Sequence, residues 1–142
     1  MPVYSTGYVS AAVQAKGAEG TTDVSMTPSA GVFQDIPDLS VTLTTDANPV
    51  LVLCEIAMQC SAAARPVLRI DIDGTPERGG RAYWSSSQYF VMTNILLKSL
   101  SAGSHTIKAQ LTDASGGVTY TCNAATSPDY FHRRLIVIEC RQ

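Results

Sequence analysis

The stretch Leu39-Ser40-Val41-Thr42-Leu43-Thr44, followed by Asp46-Ala47-Asn48-Pro49 and then by Val50-Leu51-Val52-Leu53-Cys54-Glu55-Ile56, decides the fold class. Leu39, Val41 and Leu43 alternate with Ser40, Thr42 and Thr44, and a period of two places the apolar side chains on one face of an extended strand. The Asp, Asn and Pro that follow favour a turn, because short polar side chains bond their own backbone and proline fixes φ. Val50 to Ile56 is then nearly continuously apolar, as expected of a central strand covered on both faces.

The same rhythm extends along the chain. Between Arg65 and Asp73, Leu68, Ile70 and Ile72 point one way and Arg69 and Asp71 the other, and Asp73-Gly74 starts a turn. Tyr89 to Leu97 is a further apolar run. Ser101 to Ser104 leads into His105, Ile107, Ala109 and Leu111 on one face, Gly116-Gly117 introduces Val118 to Cys122, and Leu135 to Cys140 closes the chain. This pattern predicts about eight short strands from residue 36 onward, with no window of helical period. Val9 to Ala18 is a weak helical candidate, crowded by Gly7, Gly17 and Gly20. The expected architecture is all-β, a two-sheet antiparallel jelly-roll sandwich with an N-terminal arm. An immunoglobulin-like sandwich or a partly open barrel are the alternatives, the former weakened because Trp84 is not flanked by suitably spaced cysteines.

The 142 residues fit one domain. Residues 1–33 hold only Lys16, Glu19 and Asp23 as charged groups and read as an arm or edge strands, and residues 34–142 as the jelly roll. The charged fraction is 15%, against about 25% in ordinary soluble domains. A surface poor in charge is often one partly covered by partners. A net charge of −2 without any run of like charges argues against nucleic acid as a ligand. No apolar stretch approaches the ~20 residues needed to cross a bilayer as a helix, so membrane insertion is not expected. Met1 to Ala15 lacks the basic and apolar blocks of a signal peptide, and the chain is expected to be soluble and not secreted by its own signal. Cys54, Cys60, Cys122 and Cys140 match no zinc spacing and are expected as free buried thiols, with a Cys54–Cys140 bridge open to a chain that matures outside the cell.

Leu100-Ser101-Ala102-Gly103-Ser104-His105-Thr106-Ile107-Lys108-Ala109-Gln110-Leu111 resembles a turn-and-strand element of tumour-necrosis-factor-like and complement-head-like jelly rolls, many of them bacterial or bacteriophage domains. Val50 to Cys54 with Val67 to Gly74, and Tyr130 to Glu139, agree with it, so the resemblance covers about residues 33 to 140. It implies a homotrimer packed through aromatic and aliphatic residues, in a structural or receptor-binding role. With no signal peptide, it points to a phage virion component made in the host cytoplasm: a tail-fibre head, a tip or a capsid decoration protein. A bacterial cell-surface location is the alternative. No collagen-like repeat or heptad stalk accompanies it, which disfavours a long fibre.

No enzymatic activity and no cofactor are expected. Ser127, Asp129 and His132 lie close in sequence, yet they lack the nucleophile elbow and oxyanion loop of a hydrolase. Asp71, Asp73 and Glu77 could offer oxygen ligands to calcium, but they lack the EF-hand spacing and sit beside Arg69, Arg78 and Arg81, with which they are expected to pair. Arg65, Arg78 and Arg81 read as a solvated loop before an acidic-glycan site. His105 reads as a hydrogen-bonded packing residue, with a metal on a threefold axis, held by one His105 from each subunit, as the alternative. Tyr83, Trp84, Tyr89 and Phe90 bracket Ser85 to Gln88 and form, with His105, Tyr130 and Phe131, the candidate interface or ligand surface. The rival function is a carbohydrate-binding β-sandwich module, in which the aromatics would stack on sugar rings of a host-surface glycan.

Overall fold

The computed structural model describes residues 12–83, 89–123 and 132–140. Ten strands lie among them: β1 (Ala12–Glu19), β2 (Val24–Met26), β3 (Gln34–Asp46), β4 (Pro49–Cys60), β5 (Pro66–Ile72), β6 (Thr75–Arg81), β7 (Tyr89–Ser99), β8 (Ala102–Asp113), β9 (Tyr120–Cys122) and β10 (Arg133–Cys140). Sheet A runs β1-β10-β4-β7, and sheet B runs β3-β8-β5-β6. Short β9 takes over from β10 beside the far end of β4, and β2 pairs with β9. Every strand pair is antiparallel. Sheet neighbours other than β5 and β6 come from distant parts of the chain, and the links β3–β4, β4–β5, β6–β7 and β7–β8 cross between sheets. That is the Greek-key order of a jelly roll.

The elements follow from local chemistry. β3 buries Leu39, Val41 and Leu43 and exposes the residues between them, as the alternation requires. Asp73 (φ 54°) and Gly74 (φ 81°) both adopt positive φ in the two-residue turn that joins Ile72 to Thr75. Asp-Gly suits this turn, because its twist matches that of the flanking strands. Side chains such as Val52, Ile56, Leu68, Ile107, Leu111 and Val137, all buried, fill the space between the sheets.

The structure departs from the sequence expectations at three places. The described part of the weak helical candidate is β1, because pairing with β10 from Ala12 to Glu19, interrupted by a bulge between Ala12 and Gln14, supplies a ladder that outweighs weak local preference. The basic stretch read as a loop is largely β6, whose Arg81 pairs in register with Val67. Val50 to Ile56 is a central strand, but sheet B covers only one of its faces, and Leu51 and Leu53 remain half-exposed on the other.

Buried polar groups fix the corners. Arg133, whose side chain is fully buried, donates from Nε to the Pro37 carbonyl (3.2 Å) and from Nη1 to the carbonyls of Cys122 and Asn123 (3.1 Å each). Its Nη2 donates to Asp38 Oδ2 (2.9 Å), at a residue whose φ of 67° turns the backbone within β3. Glu139 accepts from Gln14 Nε2, the Asp46 amide and Asn48 Nδ2, tying β1 and the β3–β4 corner to β10. Asp113 accepts from the amides of Arg65, Ser115 and Gly116 and from the Tyr120 hydroxyl. Burial pushes the Asp113 carboxyl up, and those donors outweigh burial and hold it below its ordinary value.

Gly20 packs against the Arg133 guanidinium, and a Cβ there would lie 2.0 Å from Cζ. Gly20→Ala is therefore expected to destabilise the fold by about 1–3 kcal/mol, and Arg133→Met by about 3 kcal/mol or more through the orphaned carbonyls and Asp38. Urea unfolding followed by tryptophan fluorescence measures both. An unchanged midpoint for Gly20→Ala would mean that the guanidinium is free to move.

Candidate functional site

The two outer faces of the sandwich differ in character. On sheet A, Ile138, Leu51 and Leu97 stand side by side across β10, β4 and β7, and Ile136, Leu53 and Ile95 form the next row. Val91 and Tyr89 continue along β7, while Ala15 and Gly17 extend the two rows onto β1. Leu97 is 67% exposed and Ile95 54%. Isolated exposed leucines are ordinary, but contiguous aliphatic rows across three strands are not, and such patches mark interaction surfaces.

A charged row borders the aliphatic ones: Glu19, Arg134, Glu55 and Thr93 on β1, β10, β4 and β7. Arg134 Nη2 lies 3.4 Å from Glu55 Oε1, with both side chains well exposed. A shallow depression of about 150 Å³ opens between this row and the next, lined by Leu53, Glu55, Thr93, Arg134 and Ile136 among others.

Sheet B presents polar groups outward. Lys108 Nζ and Gln110 Nε2 donate to the two oxygens of Asp35 (2.7 Å each), and Arg69 Nε donates to Gln110 Oε1 (2.7 Å). The Arg69 guanidinium lies 3.7 Å above the centre of the Phe33 ring. Hydrogen bonds from Lys108 and then Gln110 hold the Asp35 carboxyl below its ordinary value. With Asp71, Asp73 and Thr106 these groups border an open groove of about 570 Å³.

The sequence-derived site residues do not come together on one surface. Tyr83 and Tyr89 are exposed, Tyr83 lying under the Arg65 guanidinium at 5.7 Å from its ring centre and Tyr89 standing on the outer face of sheet A. Phe90 and His105 are buried between the sheets. Trp84, Ser127, Asp129, Tyr130 and Phe131 lie outside the described residues. Glu77 pairs with Lys98, Asp71 accepts from the Gly74 amide, and Asp73 holds His105 and the Thr106 amide, while the side chain of Arg78, one of the expected partners, lies outside the described residues. The four cysteines form no disulfide, and a Cys54–Cys140 bridge is ruled out by register, since Cys54 opposes Leu135 and faces inward whereas Cys140 opposes Ala12 at the far end of β10. Burial pushes the Cys54 and Cys122 thiols up to about 12. The aliphatic outer face is the feature that sequence reasoning missed. Its signal was the near-continuous apolar character of three runs that prove to be neighbours in one sheet.

No protein-family model matches the sequence, and no curated protein matches it. Among solved structures the chain is similar to the CBM36-1 domain of a multidomain xylanase from the hindgut metagenome of Trinervitermes trinervoides, at 13% identity and a TM-score of 0.46, over 87% of this chain and 96% of that one. It is also similar to a chain of the infectious bursal disease virus Gx strain, at 11% identity and a TM-score of 0.49, over 88% of this chain but 36% of the viral one. The C-terminal domain of EclA, a sugar-binding protein, matches at 14% identity and a TM-score of 0.40, over 85% of each chain. Likenesses this distant say nothing about ligand or partner. Among the described residues no helix is long and apolar enough to cross a membrane.

His105 sets a pH dependence. Its Nδ1 lies 2.6 Å from Asp73 Oδ2 and its Nε2 2.9 Å from the Ser101 carbonyl, so both nitrogens face acceptors and the doubly protonated ring is favoured. The hydrogen bond with Asp73, and then that to Ser101, raises the His105 pKa above its ordinary 6.5. The Thr106 amide and then His105 lower that of Asp73 below 3.8. A raised histidine adds stability that is complete below its unfolded value and fades as pH rises through the folded one. A depressed carboxyl adds stability that is present above its unfolded value and fades as pH falls through the folded one. This pair therefore supports the fold most between the two unfolded values, from about pH 4 to about pH 6.5. Melting temperatures should fall as pH rises above about 6.5 in the parent protein, and that fall should flatten in His105→Gln. Equal slopes in both would remove His105 from the account.

Proposed function

We propose that this chain is a non-enzymatic structural or receptor-binding component that works by assembling with copies of itself, as a phage virion part such as a tail-fibre head, tip or capsid decoration protein. The observation that carries the reading is the aliphatic outer face of sheet A, where Ile95 and Leu97 are exposed and Leu51, Leu53, Ile136 and Ile138 beside them half-exposed. Burying that face against another subunit removes apolar area from water at about 25 cal/mol per Å², and association then stabilises the fold by mass action. The virion placement rests on the resemblance of residues 33–140, which also implies a threefold ring. Such a ring requires each subunit to offer two different patches, whereas one flat face can also meet its own copy across a twofold.

The outer face of sheet B favours a second reading, glycan binding. Vicinal hydroxyls suit the fixed donors and acceptors of Asp35, Arg69, Lys108 and Gln110 beside Phe33, and the groove is open. Both faces serve a receptor-binding particle, one holding copies together and the other turned outward.

Light scattering after gel filtration tests the first reading: the parent should run at a multiple of the 15.1 kDa chain, and a variant carrying Ile95→Lys and Leu97→Lys should run as one chain. A parent that stays at a single-chain mass at tens of micromolar would overturn it. A glycan-array screen tests the second, with binding by the parent lost in Arg69→Ala. A blank array, or binding unaffected by that substitution, would remove the groove as the site.

A further inference from the structure

We infer that the outer face of sheet A docks on the same face of a second copy, across a twofold axis that runs parallel to the strands between β10 and β4. This rests on the assembly reading above and names its partner and geometry.

Register supplies the first support. Outward residues on β10 and β4 are directly paired as Ile138 with Leu51, Ile136 with Leu53, and Arg134 with Glu55. An in-plane twofold between these strands lays the β4 member of each pair over the β10 member of the other copy. Leucine then faces isoleucine in both aliphatic rows. In the charged row, Glu55 of each copy faces Arg134 of the other, so the face is complementary to itself in charge as well as in apolar character. A perpendicular in-plane axis would instead bring a charged row toward the Pro49 and Cys140 end of the sheet, with no opposite charge to meet among the described residues.

Area supplies the second. The face is four strands wide, about 19 Å, and about 33 Å long at ordinary strand dimensions, so each copy offers about 600 Å² in projection and a pair about 1,200 Å², the lower bound of specific interfaces. Packed sheets sit about 10 Å apart with strands within about 30° of parallel, which keeps paired rows in contact near the axis. The depression beside Leu53 and Thr93 gives a side chain of the second copy a place to enter. The contact is isologous: alone it makes a dimer, and in a threefold particle it would join two rings.

The test separates contact between copies from pairing within one chain. Arg134→Glu and Glu55→Arg each place like charges across the proposed axis, and each should weaken self-association by about tenfold or more. Both should keep the parent's melting temperature to within a few degrees, because the pair inside one chain is solvent-exposed. Mixed in equal amounts, the two variants should recover the parent mass, since the acidic pair at positions 55 and 134 of one then meets the basic pair of the other although neither chain has regained its internal pair. Single variants that associate as the parent does, or a mixture that stays dissociated, would overturn the proposal while leaving assembly through another surface standing. A monomeric parent would overturn both readings. Association that appears only after removal of residues 1–11 would assign the face to that segment of the chain and likewise overturn the proposal.

Discussion

A guanidinium shut away from water without partners would cost several kcal/mol, so the burial of Arg133 dictates where other segments must run. Its N–H groups need acceptors in several directions, and four hydrogen bonds reach the β3 bend at Pro37 and Asp38 and the end of β9 at Cys122 and Asn123. Gly20 supplies the room, at the position where β1 ends. Arg133 is also the first residue of β10, the strand between β1 and β4. One side chain thus sets the register at which the last strand enters the sheet. Because side chains alternate along a strand, that register also decides which residues of β10 face out.

With Arg133 inward, Leu135, Val137 and Glu139 are inward as well, and Arg134, Ile136 and Ile138 face outward. The buried charge and the exposed aliphatic face are therefore consequences of the same phase. A one-residue slip would turn Ile136 and Ile138 into the core and Arg134 with them, and would expose the residues that now fill it. Glu139 reinforces the choice at the other end of the strand, where its carboxylate meets the Asp46 amide and Asn48. Hydrogen bonds from Gln14, Asp46 and Asn48 hold that carboxyl below its ordinary value.

Much of the fold was legible because the chain's local preferences agree with it. Leu39 to Thr44, Leu68 to Ile72 and His105 to Leu111 alternate as strands with one wet face must, and Asp73-Gly74 fits a tight hairpin. β6 was hidden because Thr75 to Arg81 contains Pro76 and two glycines and lacks alternation, and it is held as a strand by pairing with β5. β1 falls in the segment read as an arm or edge strands, and its pairing could not be read locally, since an edge strand takes its ladder from a neighbour almost a whole chain away. The site was less legible. Val50–Ile56 reads as a strand covered on both sides, Tyr89–Leu97 as a further apolar run and Leu135–Cys140 as the closing strand, but nothing local says that the three lie together or that one side stays bare. That conjunction belongs to the topology. The aromatic residues drew attention by being few, and two of the candidates, Phe90 and His105, are interior groups whose substitution would report on folding before anything else.

The low charge content now has a place in the structure. Charged groups gather at three places among others: the interior pins Arg133, Glu139 and Asp113, the network of Asp35, Arg69 and Lys108 on sheet B, and the row of Glu19, Arg134 and Glu55 on sheet A. Beside that row, the outward face of β4, β7 and β10 carries Leu51, Leu53, Ile95, Leu97, Ile136 and Ile138 where a free-standing sandwich would place lysine and glutamate. A two-layer sandwich can cover only the inner face of each sheet, so a sheet built to be apolar on both faces requires a third layer. The charge on its border is arranged as an acid and a base on adjacent strands, which lets a second copy of the same sheet supply that layer without setting like charges against each other.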